Sequence, residues 1–218
     1  MSDNISGALR GPSPAGANGH DLLSEMALAA VAIEASTCFP PAVLLSQWAC
    51  ESGWGKHVTG DYNYWGKTRA PETGPAKFCP THEDVTVAQL AKFRPDERAS
   101  ETRRAPLGNG RFRVWMSRWF ASYATLEDSL ADYVRTFINS PQRYKAAWRQ
   151  YLRSKDSDAF LIAICNSGYA TSSDYQNELL AIAHQPNVQH AIAAARQQFA
   201  ATPPQNKSGP EPQSSEPR

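Results

Sequence analysis

Pro40-Pro41-Ala42-Val43-Leu44-Leu45-Ser46-Gln47-Trp48-Ala49-Cys50-Glu51-Ser52-Gly53-Trp54-Gly55 is the stretch from which the rest of the chain is read. Two prolines open a helix without penalty, because first-turn N–H groups have no partner to lose. Gly53 and Gly55 supply the left-handed conformation with which helices commonly end. Between these limits Leu44, Trp48 and Glu51 fall at i, i+4 and i+7, on one helix face. That face is otherwise apolar, so a carboxylate is aimed at apolar or aromatic groups. Such surroundings disfavour the charged form, and a carboxyl kept protonated near neutrality can donate its proton. The alternative is a Glu51 that swings into solvent at the helix end.

Composition bounds what surrounds this helix. A chain of 218 residues buries a full core as one domain with tails. A hydrophobic fraction of 41% and six tryptophans suit a globular protein with an aromatic-lined cleft. The formal net charge of +1 selects no polyanionic partner, nucleic acid included. No run of 18 apolar residues is present, so no membrane span is expected. Residues 1–19, rich in Gly, Pro, Ser and Asn, read as a flexible leader without a signal peptide. Residues 201–218 read as a disordered tail. Cys38, Cys50, Cys79 and Cys165 fit no dense disulfide scaffold, and Cys50 and Cys165 read as small core residues. Cys79-Pro80-Thr81-His82 has no second tight Cys/His pair beside it, so no metal is expected.

Along the chain, Leu22, Met26, Ala29, Ala30 and Ile33 predict a helix to about Ser36. Residues 53–80 read as loop with short extended pieces. Lys77–Glu83 and Arg111–Phe120 are expected to pair as a β-hairpin lobe, with Gly108-Asn109-Gly110 as a turn. Between them Val87–Phe93 reads as one short helix and Arg94–Arg104 as a charged loop. Thereafter helices are expected from Thr125, from Ser140-Pro141, from a Ser157 cap and from Ser173 or Asp174, with a last one after Pro186 ending near Phe199. The architecture is mainly α (α+β), a helical domain over 20–200 with a small β-lobe at about 68–123 forming one wall of a cleft.

Four segments sharpen this reading. Ser46-Gln47-Trp48-Ala49-Cys50-Glu51-Ser52-Gly53-Trp54-Gly55, Tyr62-Asn63-Tyr64-Trp65-Gly66-Lys67, Phe120-Ala121-Ser122-Tyr123 with Leu126-Glu127-Asp128-Ser129, and Gly168-Tyr169-Ala170-Thr171 with Tyr175 occur in that order. Together the chain resembles bacterial glucosaminidases, glycoside hydrolase family 73, which are peptidoglycan hydrolases of the flagellar type with a lysozyme-like fold. The resemblance implies an endo-β-N-acetylglucosaminidase acting on peptidoglycan glycan strands, as a monomer, without metal or organic cofactor. It implies action in the periplasm or on the cell wall after export or phage lysis. Its setting is a phage lysin, a secretion-system effector or a flagellar-type exported enzyme, with any export or immunity partner unspecified.

Breaking an acetal needs a protonated acid at the leaving oxygen and a second group that stabilises positive charge or directs water. Glu51 is the candidate acid. The family carries its second carboxylate in a TxE string 30–40 residues later, which Thr81-His82-Glu83 matches, so the resemblance points to Glu83. Glu101 and Glu97 are rivals, because the insertion that holds them departs from the family pattern. The resemblance also places Tyr169 near the reaction centre, where a helix-cap contact is the other reading. Trp54, Tyr62, Tyr64 and Trp65 are candidates for stacking on sugar faces, and each taken singly also suits a core position. Asn63 bonds either backbone or an N-acetyl group, and Tyr123 is a further candidate for substrate contact. Two alternatives remain: a muramidase or lytic transglycosylase using the same Glu51, and a degenerate glycan-binding module, against which intact Glu51, Gly53, Trp54 and Tyr169 argue.

Overall fold

A computed structural model describes residues 22–140, 142–169 and 173–201. The proposed leader lies outside the described residues, as does the proposed tail except Ala201, which closes the last helix. The first helix, α1 (Leu22–Thr37), is buried on nearly all sides through Leu23, Met26, Ala27, Ala30, Val31 and Ile33. The second, α2 (Pro41–Ser52), starts from an extended Pro40 and ends at Gly53, which is left-handed at φ 57°. Gly55 is also left-handed, and a Cβ there would stand 2.3 Å from Leu22 Cδ2. The two glycines therefore do different jobs: the first reverses the chain and the second lets it press on α1.

The lobe follows. Strand β1 (Ala76–Thr86) leads through α3 (Val87–Leu90) and α4 (Pro95–Ala99) to β2 (Arg103–Gly108) and β3 (Arg111–Ala121). The sheet is antiparallel in the order β1-β3-β2. The two expected runs do pair, with Thr81 opposite Met116 and Glu83 opposite Val114. The tight hairpin is instead β2–β3, whose turn contains Asn109 at φ 51° and Gly110 at φ 71°. Both outer strands carry a proline, Pro80 and Pro106, where a missing N–H is tolerated because only one side of an edge strand is paired. The lobe has its own small core of Val85, Leu90, Phe112, Val114 and Met116 with Phe93 packed against it.

The remaining helices are α5 (Leu126–Ile138), α6 (Lys145–Ser154), α7 (Ser157–Ile164), α8 (Ser173–Ala183) and α9 (Pro186–Ala201). They close around α1 and α2 over one large core. Phe39, Phe137, Trp148 and Phe160 form its aromatic centre, with ring centroids 5.5 to 6.0 Å from Phe39. Thr125 caps α5 by accepting from the Asp128 N–H. Two expected starts shift. Helix α6 begins at Lys145 rather than at Ser140-Pro141, and the cap of α7 is Asp156, whose Oδ1 accepts the Ala159 N–H at 2.9 Å, rather than Ser157. No helix among the described residues is long and apolar enough to cross a membrane.

Candidate active site

Glu51 sits in the last turn of α2, half-buried, where the helix gives way to the Gly53 reversal. Its neighbour Ser52 is buried and clamps that reversal. The Ser52 hydroxyl donates to the Trp48 carbonyl at 2.6 Å and accepts the Gly55 N–H at 2.7 Å. The helix end that carries Glu51 is thereby fixed from both sides. Tyr175, at the start of α8, donates its phenol to Glu51 Oε1 at 2.6 Å. This short bond holds the carboxyl group in one orientation.

Cys50 lies beside the pair. Burial, with the nearby charges of Glu178 and Glu51, pushes its thiol up to about 12. It therefore stays protonated at neutral pH and supplies no thiolate nucleophile. The four cysteines are free. Among the described residues no group of three or more His, Cys, Asp or Glu side chains is placed to hold a metal ion.

The aromatic candidates divide. Tyr64 is buried and packs edge-on against Trp48, with centroids 6.4 Å apart, so it belongs to the core. Tyr123 is also buried, and its hydroxyl donates to Asp132 Oδ2 at 2.7 Å. Burial raises its phenol, and the Asp132 bond adds to the rise. Trp54, Tyr62 and Trp65 keep partial exposure. Trp54 meets Trp48 edge to face at 5.9 Å, and Trp65 lies flat on Tyr133 at 3.8 Å with 9° between planes. Trp54 and Tyr62 both hold positive φ, at 61° and 53°, a strained backbone for such side chains that the surrounding packing must maintain.

Asn63 takes the backbone alternative. It is fully buried, donates to the Lys67 and Ala121 carbonyls at 2.9 Å each, and accepts the Lys67 N–H at 3.0 Å. It staples the aromatic loop to the end of β3. The side chain of Tyr169 lies outside the described residues, as do Ala170, Thr171 and Ser172; its backbone closes a π-type turn, Cys165–Tyr169.

The three carboxylates of the lobe have distinct surroundings. Glu83 on β1 accepts from Arg118 Nη1 at 3.0 Å, and the β1–β3 register puts it on the same side of the sheet as Thr81 and Val85. Glu97 is buried, and its two oxygens accept the backbone N–H groups of Arg94 and Trp119, each at 3.1 Å. Glu101 receives Arg104 through two bonds of 2.7 and 2.8 Å, which hold its carboxyl below the usual range. Glu51 and Glu83 thus belong to separate bonded groups, one reaching α8 and the other β3. Tyr175 is the site residue that sequence reasoning left without a role, although it was quoted as the final residue of the fourth segment.

Comparisons with known proteins bear on the family and the fold. The family model described as Glucosaminidase, mannosyl-glycoprotein endo-beta-N-acetylglucosaminidase, matches residues 27–188. Peptidoglycan hydrolase FlgJ of Vibrio parahaemolyticus is 30% identical over 146 residues, 65% of this chain; the chain spans only 39% of that relative. Two solved structures share the fold. The catalytic domain of the autolysin Auto from Listeria monocytogenes has a TM-score of 0.56 at 20% identity, over 78% of this chain and 85% of that one. The glycoside hydrolase domain of FlgJ from Salmonella typhimurium has a TM-score of 0.53 at 20% identity, over 83% and 95%. With residues 27–188, most of the chain, covered by the family model, the protein belongs to the glucosaminidase family.

Proposed function

We propose that this protein is a peptidoglycan hydrolase, an endo-β-N-acetylglucosaminidase that cuts glycan strands of the bacterial cell wall. The observation that carries the reading is the orientation of Glu51 by Tyr175 at the clamped end of α2, within the segment that carries the family likeness. Glu51 acts as general acid and delivers its proton to the leaving glycosidic oxygen. The Tyr175 phenol then steadies the carboxylate that the transfer leaves behind. Trp54, Tyr62 and Trp65, each partly exposed, offer rings for the apolar C–H surfaces of sugars. Glu83 serves as the second carboxylate, directing water or stabilising the oxocarbenium-like transition state. The enzyme works on the wall after reaching it by export or lysis.

The experiment is Glu51→Gln, which keeps shape and removes the dissociable proton. Turnover of purified peptidoglycan should fall at least ~100-fold with the circular dichroism spectrum unchanged. Near-normal activity in the folded variant refutes the assignment. Wild-type digests, reduced with borohydride, should carry reduced N-acetylglucosamine ends. Reduced or anhydro-muramic ends would reassign the cut to the neighbouring linkage.

A further inference from the structure

Outside the Glu51 group, the lobe carries a cavity of about 200 Å³ at the junction of β3, α4 and the loop after Trp65. Arg69, Lys92, Arg94 and Arg118 line it together with the rings of Phe93 and Trp119. The one acid in the wall, Glu97, is buried; its oxygens accept two backbone N–H groups, and Oε1 also lies 3.6 Å from Arg118 Nε. Each guanidinium is paired with a carboxylate: Arg69 with Asp132 at 2.9 Å, Arg94 with Glu72 at 2.6 Å and Asp96 at 3.3 Å, and Arg118 with Glu83 at 3.0 Å. Arg118 also lies 4.1 Å over the Phe93 ring, and the Trp119 indole donates to Asp96 at 2.7 Å. These contacts fix the guanidinium forks, and a fork has five N–H donors, more than these carboxylates use. Lys92 is exposed and makes no ion pair among the described residues. With the Lys92 ammonium and the guanidinium N–H groups that these carboxylates leave over, a cavity of this size can take a carboxylate on a short organic chain.

The activity proposed above supplies such a group, since the glycan strand bears peptide stems with free carboxylates. We infer that this cavity is a subsite for a stem-peptide carboxylate, so that the enzyme reads peptide-bearing glycan in preference to bare glycan. This inference rests on the peptidoglycan reading. The cavity is continuous in sequence with the aromatic loop: Trp65 and Arg69 are four residues apart, and Asn63 and Asp132 pin the intervening turn. Two of its walls, Lys92–Arg94 and Glu97, come from the segment between β1 and β2.

The test compares wild type with Lys92→Glu and Lys92→Ala on two substrates, intact peptidoglycan and glycan strands stripped of peptide. Lys92 is exposed, so neither change disturbs a packed contact. On intact wall, Lys92→Glu should lower kcat/KM about tenfold and Lys92→Ala less, while activity on stripped strands stays the same. A second measurement does not need turnover. Synthetic alanyl-γ-glutamyl-lysine with free carboxyl groups is titrated into wild type, into Glu51→Gln and into Lys92→Glu, with the fully amidated peptide as control. Binding to the first two, with loss both on Lys92→Glu and on amidation, supports the subsite. Equal loss on both glycan substrates, no change on either, or binding indifferent to amidation overturns it. Peptide binding in a protein that hydrolyses neither substrate would uphold the subsite and refute the proposed function. Hydrolysis with no peptide binding would do the reverse.

Discussion

The phenol of Tyr175 reaches Glu51 across 124 positions of sequence. No local periodicity joins two residues that far apart, so their partnership is a product of packing α8 against α2. Tyr175→Phe keeps the ring and deletes the donor. We expect kcat on peptidoglycan to fall about tenfold with KM changed by less than about twofold, because the bond orients the acid rather than the substrate; an unchanged kcat would remove Tyr175 from the mechanism. The place of Glu51 in the last turn of α2 is legible in the sequence, because helix limits are local properties. The carboxylates of the lobe were legible only as candidates, and their surroundings now separate them. Glu83→Gln should cripple turnover while leaving Tm within about 2 °C, since its ion pair is partly solvated. Glu97→Gln should instead destabilise the fold by ~1–3 kcal/mol, because a buried carboxylate with two backbone donors is replaced by an amide. Glu101→Gln should do neither. Activity measured beside thermal melts for all three variants checks the assignment, and loss of turnover in folded Glu101→Gln in place of Glu83→Gln would sink it.

At the level of elements, the segment Arg94–Arg104 shows where sequence reading fails. It was read as a charged loop, but it contains α4 and the start of β2. Strand β2 is exposed along nearly its whole length, so it has no apolar–polar alternation to reveal it. Helix α4 did leave a signal, Pro95 at its first position and Glu97 two residues later bonding back to the Arg94 N–H. The joint between the lobe and the helices is equally invisible locally. Asp132 on α5 collects Lys67 at 2.8 Å, Arg69 at 2.9 Å and the Tyr123 hydroxyl at 2.7 Å. Burial pushes this carboxyl up, but the bonds from Lys67 and Tyr123 and the charges of Lys67 and Arg69 outweigh it, leaving the group below its ordinary 3.8. A group depressed in the folded state stabilises fully above its unfolded value and loses that contribution as pH falls through the folded one. Thermal melts should therefore drop below about pH 4, and Asp132→Asn should flatten that drop while costing ~1–3 kcal/mol at neutral pH. A variant with the wild-type acid slope would show that other carboxylates set it.

Across the whole molecule, the helices were readable because their buried stripes repeat at helical spacing and feed one core. The lobe is a separate small core joined to it through the loop around Asn63, and that division places the proposed acid and the proposed second carboxylate on opposite sides of a seam. The lobe's sheet ends in two strands, each interrupted by a proline, at Pro80 and Pro106. An open sheet edge invites a strand from another molecule to dock and extend the ladder, and a missing donor in the middle of that edge breaks the register such docking needs. The consequence is colloidal. At high concentration the lobes offer no uninterrupted edge along which one copy could extend the sheet of the next into a fibre.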